Sequence, residues 1–384
     1  RDKPAVGIQD RLHARALTLT LDEKTIALVS LDLGRAPTRD SMQRIRLAVK
    51  KIGVDHLFVT GSHTHHGPAL ELDKVPRGKK PYVRELEEKL IQIITQAVKM
   101  RKSAKLAVTS EKVAFNRNRH SRRKVKPLDN ELLILRVEDE DGEPIAHAVN
   151  FAAHPTFHSS RLLKWSADWP GAMAAIVERK TDAPCLFLQG FAGDLSPNPG
   201  RLQGPVEFGE ALAKKVLTLS DKAKPFPFLR ERLQVKEDEF RFRCRVDLKN
   251  RAIRTLMGLA FFPELVAFYE REYREGVRPH LTTGLIGEDL GIVGISGEVF
   301  CGHSLSLKRR ARLKHLLVLG YCNDYQQYFP TIEAAAEGGY GADPPVSAAE
   351  VGAGEKMVDQ ALIHLYKMRG RLKDFTSRRG KVKK

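Results

Sequence analysis

Short apolar runs of strand length alternate with amphipathic helical segments through most of this chain. Residues 16–20 and 25–31 are apolar and β-branched, which predicts strands. Residues 39–52 and 82–102 place apolar side chains at helical spacing, which predicts two amphipathic helices. Further on, residues 240–246 predict a strand and residues 281–295 a hairpin that turns at 287–289. Because the elements follow no strict strand–helix–strand repeat, we predict an α/β (mixed α+β) protein with mixed sheets covered by helices.

One histidine-rich loop follows directly on an apolar run at residues 57–60. The loop, GSHTHHGP at residues 61–68, holds three of the 13 histidines within four positions. His63 and His65 are two residues apart, so in extended backbone their rings leave the same face. Imidazole is the commonest metal ligand in proteins and is suited to proton transfer near neutral pH. This spacing alone leaves two interpretations open, a metal site or a polar loop of exposed histidines.

Four further loops carry polar side chains directly after apolar runs. They are NFAAHPT at 150–156 with SADWPG at 166–171, QGFAGDLSPN at 189–198, GISGEVF at 294–300, and GYCNDYQQYFP at 320–330 with Tyr340 beyond it. If the apolar runs are strands, these loops put polar groups at sheet edges. Each also has an ordinary structural explanation, such as a helix-dipole role for Glu298 or a tyrosine-rich core. Sequence spacing does not establish that the loops converge.

The charge balance indicates an anionic partner. The chain carries 65 lysines and arginines against 47 acidic residues, a formal net charge of +18. Much of this charge is clustered at residues 117–126, at 308–314 and after Tyr366. Two interpretations of the basic C-terminal tail stay open, a peripheral contact with an anionic membrane surface and a solvated, partly disordered tail without a partner. No nucleic-acid-binding motif is present, so no specific nucleic acid is expected, and no run of about 18 apolar residues predicts a membrane-spanning helix.

The ordered motifs resemble those of one enzyme family. Together with FNRN at 115–118 and GIQDRLHARA at 7–16, they follow the order found in the neutral/alkaline (non-lysosomal) ceramidases, from about residue 7 to 345. These ceramidases are zinc-dependent amidases of sphingolipid metabolism. The resemblance implies a catalytic domain of two stacked mixed β-sheets flanked by helices. We place this single domain at residues 1–366 and a flexible basic tail at residues 367–384.

The resemblance also implies a metal site and its reaction. A Zn²⁺ ion would be bound by four residues, His63, His154, Glu298 and Tyr328. Histidine and carboxylate ligands beside an exchangeable position are suitable zinc chemistry, in which the metal activates water and polarises the amide carbonyl. We expect Asp168 and Asp194 to orient histidines in this site. The expected reaction converts ceramide or a related lipid amide to a fatty acid and an amine, and the resemblance suggests an extracellular or periplasmic location.

Four more residues match catalytic positions of that family. His65 would move the proton from water to the leaving amine. Arg117 and Tyr340 would position the substrate or stabilise the oxyanion. Ser196 would organise the site or bind substrate, since no GxSxG nucleophile elbow surrounds it.

The substrate is less well defined by the resemblance than the metal site. His66 stands where the family usually has a small residue, and the resemblance ends before the immunoglobulin-like domain of the long ceramidases. A zinc amidase acting on a soluble, non-lipid amide is therefore one alternative. A catalytically inactive anion-binding protein on the same scaffold is another. The apolar stretch at residues 256–263 fits an acyl-chain groove, a membrane-contacting surface or a buried core helix.

Overall fold

The structure is a computed structural model that describes residues 4–71, 82–226, 232–260 and 263–372. Its strands, in chain order, are β1 (Gly7–Ile8), β2 (Ala14–Leu21), β3 (Lys24–Leu31), β4 (His56–Gly61), β5 (Lys105–Lys112), β6 (Asn116–Asn118), β7 (Glu131–Glu138), β8 (Pro144–Phe151), β9 (Lys164–Trp165), β10 (Cys185–Gln189), β11 (Leu195–Pro197), β12 (Leu233–Glu239), β13 (His280–Ile286), β14 (Leu290–Ile295), β15 (Glu298–Val299), β16 (His315–Leu319) and β17 (Tyr328–Phe329). Its helices are α1 (Arg39–Lys50), α2 (Tyr82–Lys99), α3 (Asp168–Thr181), α4 (Gly204–Lys222), α5 (Arg251–Ala260), α6 (Pro263–Glu272), α7 (Cys301–Ala311), α8 (Ile332–Glu337) and α9 (Ala353–Met368).

Three larger sheets contain most of the described strands. Their strand orders are β2-β3-β4, β5-β7-β8-β10 and β12-β13-β14-β16. Each of them combines antiparallel and parallel neighbours. Three two-stranded pairs, β1-β9, β6-β11 and β15-β17, accompany them in the described part of the chain. The predicted α/β class with mixed sheets flanked by helices is confirmed.

Both faces of the larger sheets are buried, which explains the nearly continuous apolar runs in the sequence. In β3, Ile26 and Leu28 belong to an apolar core shared by all three larger sheets. The alternate residues Ala27 and Val29 instead pack with α1 and α2, as the two-residue period of a strand requires. The second sheet packs its outer face on α3 and α4, and the third packs on α5, α6, α7 and α9. Helices therefore cover the outer faces, and the sheets share the inner core.

Each larger sheet contains one parallel pair whose connection includes a helix. β3 and β4 flank α1, β8 and β10 flank α3, and β14 and β16 flank α7. In α/β proteins, the loops at the carboxyl ends of such strands commonly carry the binding residues. Hydrogen bonds join three of these ends, because Gly320 N–H donates to Gln189 O at 3.0 Å and Thr60 Oγ1 donates to Gly320 O at 2.7 Å. The polar loops singled out in the sequence follow these strands.

Several predicted boundaries shift by a few residues. Helix α1 ends at Lys50 rather than at residue 52, and α2 ends at Lys99 rather than at residue 102. The last twelve residues of the predicted basic tail, 373–384, lie outside the described residues. Of the apolar stretch at 256–263, Met257 is buried in the core beneath the third sheet, whereas residues 261–262 lie outside the described chain. Within the described ranges, no helix combines the length and apolarity needed to cross a membrane.

Candidate active site

Three of the four predicted metal ligands meet beyond the carboxyl ends of the parallel strands. His63 follows β4, His154 follows β8, and Glu298 begins β15 shortly after β14. Nε2 of His154 lies 3.1 Å from Oε2 of Glu298, and Nε2 of His63 lies 3.4 Å from the same oxygen. The three residues are 8%, 0% and 2% exposed, in chain order. The structure thus places two imidazoles and one carboxylate in a buried group, which we call the His–Glu cluster.

Main-chain carbonyl groups fix the orientation of both buried histidines. Nδ1 of His63 donates to Gly34 O at 2.6 Å, and Nδ1 of His154 donates to Leu195 O at 3.0 Å. A proton on each Nδ1 leaves Nε2 of the neutral ring with an available lone pair. Both Nε2 atoms therefore face Glu298 as potential metal-binding nitrogens.

Burial controls the charge of the His–Glu cluster. It lowers the pKa of His63 and of His154 to about 4, so both rings are neutral at pH 7. Burial by itself would raise the pKa of Glu298. At acidic pH the protonated forms of His63 and His154, together with a hydrogen bond from Tyr325, outweigh that effect and hold the pKa of Glu298 below its usual range. The cluster at pH 7 is therefore one carboxylate facing two neutral imidazoles.

Three tyrosines surround Glu298. Tyr325 donates its hydroxyl to Oε1 at 2.5 Å, and Tyr321 donates to Oε2 at 3.3 Å. The Tyr321 ring also stacks on His63, with ring centroids 4.2 Å apart. Tyr328, the fourth predicted ligand, lies beside Glu298 because β17 pairs with β15 in a parallel register that sets these two residues together. Burial raises the pKa of Tyr328 well above its usual range, so the phenol is neutral in this structure at pH 7.

One buried amide links the two histidine-bearing loops. Nε2 of Gln189 donates to Ser62 O and to Ala153 O, each at 2.9 Å, and its Oε1 accepts from Ala153 N–H at 3.2 Å. Ser62 and Ala153 immediately precede His63 and His154 in the chain. Because Gln189 is the fully buried last residue of β10, that strand fixes the separation of the two loops.

The arginine that contacts the cluster is Arg119, which the sequence motifs do not single out. Its Nη2 atom donates to His154 Nε2 at 2.9 Å, to Gly193 O at 3.1 Å and to Tyr328 Oη at 3.3 Å. Gly193 permits this crowded arrangement, since a Cβ there would lie 2.6 Å from Glu298 O. A fixed positive charge therefore borders the His–Glu cluster.

The predicted Arg117 instead has an exposed side chain on β6. Its neighbours Asn116 and Asn118 are buried, so the alternation of the strand turns Arg117 outward. Asn118 then ends the strand in a turn, because its Oδ1 accepts from the N–H groups of residues 120 and 121. This turn brings Arg119 back towards the site. An Asn-initiated turn after a short strand is the sequence signal that could have located Arg119.

His65 lies between the buried cluster and solvent. It is exposed, and its ring centroid lies 4.9 Å from that of His63 and 5.9 Å from that of His154. One ligand nitrogen from each of the three histidines lies within 4.8 Å of the others. The structure therefore brings His65 to the site, where its imidazole can exchange protons with water.

The other two predicted catalytic residues lie farther from the cluster centre. Tyr340 is 71% exposed, and its ring meets the ring of Tyr328 edge to face with centroids 5.6 Å apart. Ser196 is half-buried on β11, next to Leu195, whose carbonyl holds the His154 ring. Tyr340 thus lies at the outer edge of the site, and Ser196 lies in the strand behind His154.

The two aspartates have partners other than the buried histidine rings. Asp168 accepts from the main-chain N–H groups of His158, in the loop after β8, and of Trp169, in α3. Asp194 accepts from Cys301 N–H and from Asn118 Nδ2, each at 2.7 Å. Main-chain carbonyls occupy the Nδ1 positions of His63 and His154, so neither aspartate holds these two rings through Nδ1.

His66 attaches the histidine-rich loop to the segment beyond β8. Its side chain is buried, Nε2 lies 3.1 Å from Ser159 O, and its main chain forms an isolated bridge with Ser166. Its ring also meets that of His158, with centroids 5.6 Å apart. The His66 side chain therefore contributes to the packing of the loop that carries His63 and His65.

The donor atoms of the His–Glu cluster suit a zinc ion. Zinc binds histidine nitrogen and carboxylate oxygen at about 2.0–2.2 Å in tetrahedral geometry, which places neighbouring donors about 3.4 Å apart. The two Nε2 atoms lie 3.1 and 3.4 Å from Glu298 Oε2. Lone pairs facing one another at such distances favour a cation between them, and Arg119 supplies only part of that positive charge from one side. The residues present therefore fit a divalent metal bound by His63, His154 and Glu298.

Comparison with known proteins identifies the fold. No protein-family model matches this chain. The neutral ceramidase from Pseudomonas aeruginosa superimposes with a TM-score of 0.74 at 19% sequence identity, covering 97% of this chain and 71% of that chain. A ceramidase complexed with C2 gives a TM-score of 0.73 at 18% identity, with coverages of 98% and 72%. Likeness at this level of identity establishes architecture, and the chain therefore has a ceramidase-like fold, as the ordered motifs predict.

Proposed function

We propose that this protein is a zinc-dependent hydrolase of N-acyl amide bonds, with ceramide or a related lipid amide as the substrate class. The observation that supports this proposal is the buried convergence of His63 Nε2, His154 Nε2 and Glu298 Oε2. Both Nδ1 atoms are held by carbonyls, so the facing nitrogens are ready to bind a metal. The shared fold with two ceramidase structures supports the same class of reaction.

His63, His154 and Glu298 would hold the zinc ion, and Tyr328 would be a fourth ligand. When bound, zinc would polarise the amide carbonyl and lower the pKa of a water molecule to near 7. Tyr328 would bind after losing its phenolic proton. The Arg119 guanidinium beside the Tyr328 hydroxyl favours that loss, because a positive charge stabilises the phenolate.

His65 would carry the proton through the reaction. Its exposed ring lies beside His63, within reach of both solvent and a substrate bound at the cluster. We assign to it the transfer of one proton from the attacking water to the leaving amine nitrogen. The amide C–N bond breaks as the water oxygen joins the acyl carbon, which yields a carboxylic acid and an amine. General acid–base catalysis of this kind contributes about 10²- to 10⁴-fold to the rate.

Arg119 would stabilise the negative charge that develops on the substrate carbonyl oxygen. Its guanidinium is largely enclosed by Tyr328, Gly193 and His154 and keeps a fixed charge. Once His154 Nε2 is committed to a metal, the Nη2 donor of Arg119 becomes available to the substrate. Tyr340 would close the outer edge over the reacting group, and Ser196 would support His154 from behind through β11.

Metal analysis combined with an amide-hydrolysis assay tests the proposal. We expect about one zinc per chain, loss of N-acyl amide hydrolysis on treatment with a strong chelator, and recovery when zinc is returned. Metal-free protein from a preparation that preserves zinc sites, or hydrolysis that chelation leaves unchanged, would contradict it. A catalytically inactive scaffold would hydrolyse no amide in a screen of several acyl chains and amines even when zinc is bound.

Substitutions of Arg117, in the FNRN motif, and of Arg119, directly after it, test which of the two acts on the substrate. Removing a donor that faces a developing oxyanion costs about 10²- to 10³-fold in turnover. We therefore expect Arg119→Gln to lower kcat by about 10²-fold or more, while Arg117→Gln, which changes an exposed side chain on the same segment, changes kcat by less than about threefold. Steady-state kinetics on zinc-loaded proteins measures both effects. The opposite ranking would restore Arg117 as the residue that acts on the substrate.

A further inference from the structure

The segment that follows Arg119 runs along the outer edge of the site. Nδ1 of His120 is hydrogen-bonded to Tyr340 O at 3.2 Å. Arg122 lies beside Gly339, since its Nη2 atom is 4.0 Å from the position that a Cβ on Gly339 would occupy. Gly339 directly precedes Tyr340, the residue placed above at the outer edge. The chain from Arg119 to Arg122 therefore connects the interior of the site to its entrance.

The carboxylates next to this entrance already have partners. Glu337 pairs with Arg123, with 2.6 Å between Oε1 and Nε, and it accepts from Ser121 Oγ at 3.0 Å. Asp343 accepts from Gly339 N–H at 2.6 Å. These contacts hold the two loops together. Glu337 is paired with Arg123 and Asp343 accepts from a main-chain N–H group, and neither carboxylate forms an ion pair with the Arg122 side chain among the described residues.

Three exposed cations of the same segment are not neutralised. Arg122, Lys124 and Lys126 have exposed side chains. None of them forms an ion pair with another described residue. Arg122 beside Gly339 and Arg119 inside the site place positive charge at the entrance, and a cleft lined by charge of one sign attracts and orients a substrate of the opposite sign.

We infer that the preferred substrate is an N-acyl amide whose amine half carries a carboxylate, as in an N-acyl amino acid. This inference rests on the proposed function. A guanidinium binds a carboxylate through two parallel hydrogen bonds, and Arg122 is placed to do so at the edge of the site. A neutral amide such as ceramide would gain nothing from these charges. The inference thus gives a role to Arg122, a cation without a described ion pair beside the segment that carries Tyr340.

A matched pair of substrates tests the inference. N-acylglycine and N-acylethanolamine with the same acyl chain differ only at the end of the amine half. N-acylglycine carries a carboxylate there, and N-acylethanolamine carries a neutral hydroxymethyl group. We expect kcat/KM to favour the acylglycine by about tenfold at low salt, and this preference to fall as salt is raised. Replacing Arg122 in steps of charge, Arg122→Gln and then Arg122→Glu, should lower the preference by about threefold to tenfold at each step.

The control variant is Arg310→Gln. Arg310 is also exposed, but it lies at the end of α7 away from Glu298 and pairs with Asp359 at 2.7 Å. It should leave the substrate preference and the basal activity unchanged. Equal kcat/KM for the two amides, unchanged by Arg122→Glu, would overturn the inference and leave the proposed function intact. If neither amide is hydrolysed, the proposed function is contradicted. The inference is then tested by calorimetric binding of the two amides to the zinc-loaded protein. Tighter binding of acylglycine that Arg122→Glu abolishes supports it, and equal binding overturns it.

Discussion

Substitution of His154 by alanine is expected to remove the metal and the amidase activity together. His154 is fully buried, its Nδ1 is held by Leu195 O, and its Nε2 faces Glu298 at 3.1 Å. Its loss leaves only His63, Glu298 and Tyr328 of the four proposed ligands. We therefore expect zinc affinity to fall by more than about 100-fold and hydrolysis to fall to the uncatalysed background. Elemental analysis and steady-state kinetics on the same preparation measure the two losses.

A matched control separates metal loss from damage to the fold. His147 lies on β8, the same strand that leads to His154, and is 1% exposed with Nε2 hydrogen-bonded to Ser220 Oγ at 2.9 Å. His147→Ala should cost stability, because it empties a buried site, yet retain zinc and turnover. Thermal unfolding of both variants shows whether each is folded at the assay temperature. A folded His154→Ala protein that keeps one zinc per chain would remove His154 from the ligand set.

Substitution of His65 by alanine is expected to lower the amidase activity while the zinc ion stays bound. The zinc content should stay at about one per chain, because His63, His154 and Glu298 keep their positions without the exposed His65 ring. The value of kcat should fall by about 10²- to 10⁴-fold, the usual contribution of a positioned proton-transfer group. Metal analysis and single-turnover kinetics measure the two quantities independently.

Two results would change the assignment of His65. Loss of zinc in His65→Ala would make it a ligand, which the 4.8 Å grouping of the three histidine nitrogens allows geometrically. Unchanged kcat with zinc retained would exclude it from proton transfer. His13→Ala is the control, because the His13 side chain is 55% exposed and lies outside this grouping beside Asp32. That variant should leave both quantities unchanged.

Local patterns predict strands well where both the alternation and the turn agree. The hairpin predicted at residues 281–295 is present as His280–Ile286 and Leu290–Ile295, joined at the predicted turn. Residues 240–246 show a similar alternation, but they form only isolated bridges, one between Phe242 and Val277 and one between Cys244 and Ala349. Their apolar side chains are buried in the core of the third sheet without a continuous partner strand. Alternation therefore predicts which side chains are buried, whereas strand pairing depends on residues far away in the chain.

The candidate site required information that spacing in the sequence does not contain. His63, His154 and Glu298 come from three loops separated by more than 90 residues. Ordered motifs suggested that they belong together, but the physical cause is that parallel strands of different sheets end at one place. The same limit explains Arg119. Its neighbour Arg117 matched a motif, and only the turn at Asn118 determines which of the two guanidinium groups points inward.

Gln189 affects how metal binding and folding are coupled. The Gln189 side-chain amide holds the chain immediately before both buried histidines. The loss of backbone conformational entropy at these positions therefore occurs during folding. The proposed ion would then have no disordered loops to organise when it binds. In a zinc finger, by contrast, metal binding and folding are a single event, and the apo chain is unfolded. We therefore expect the chain to fold without the proposed ion, which would add stability by mass action when it binds, and exchange of the ion would be a local equilibrium on a folded chain.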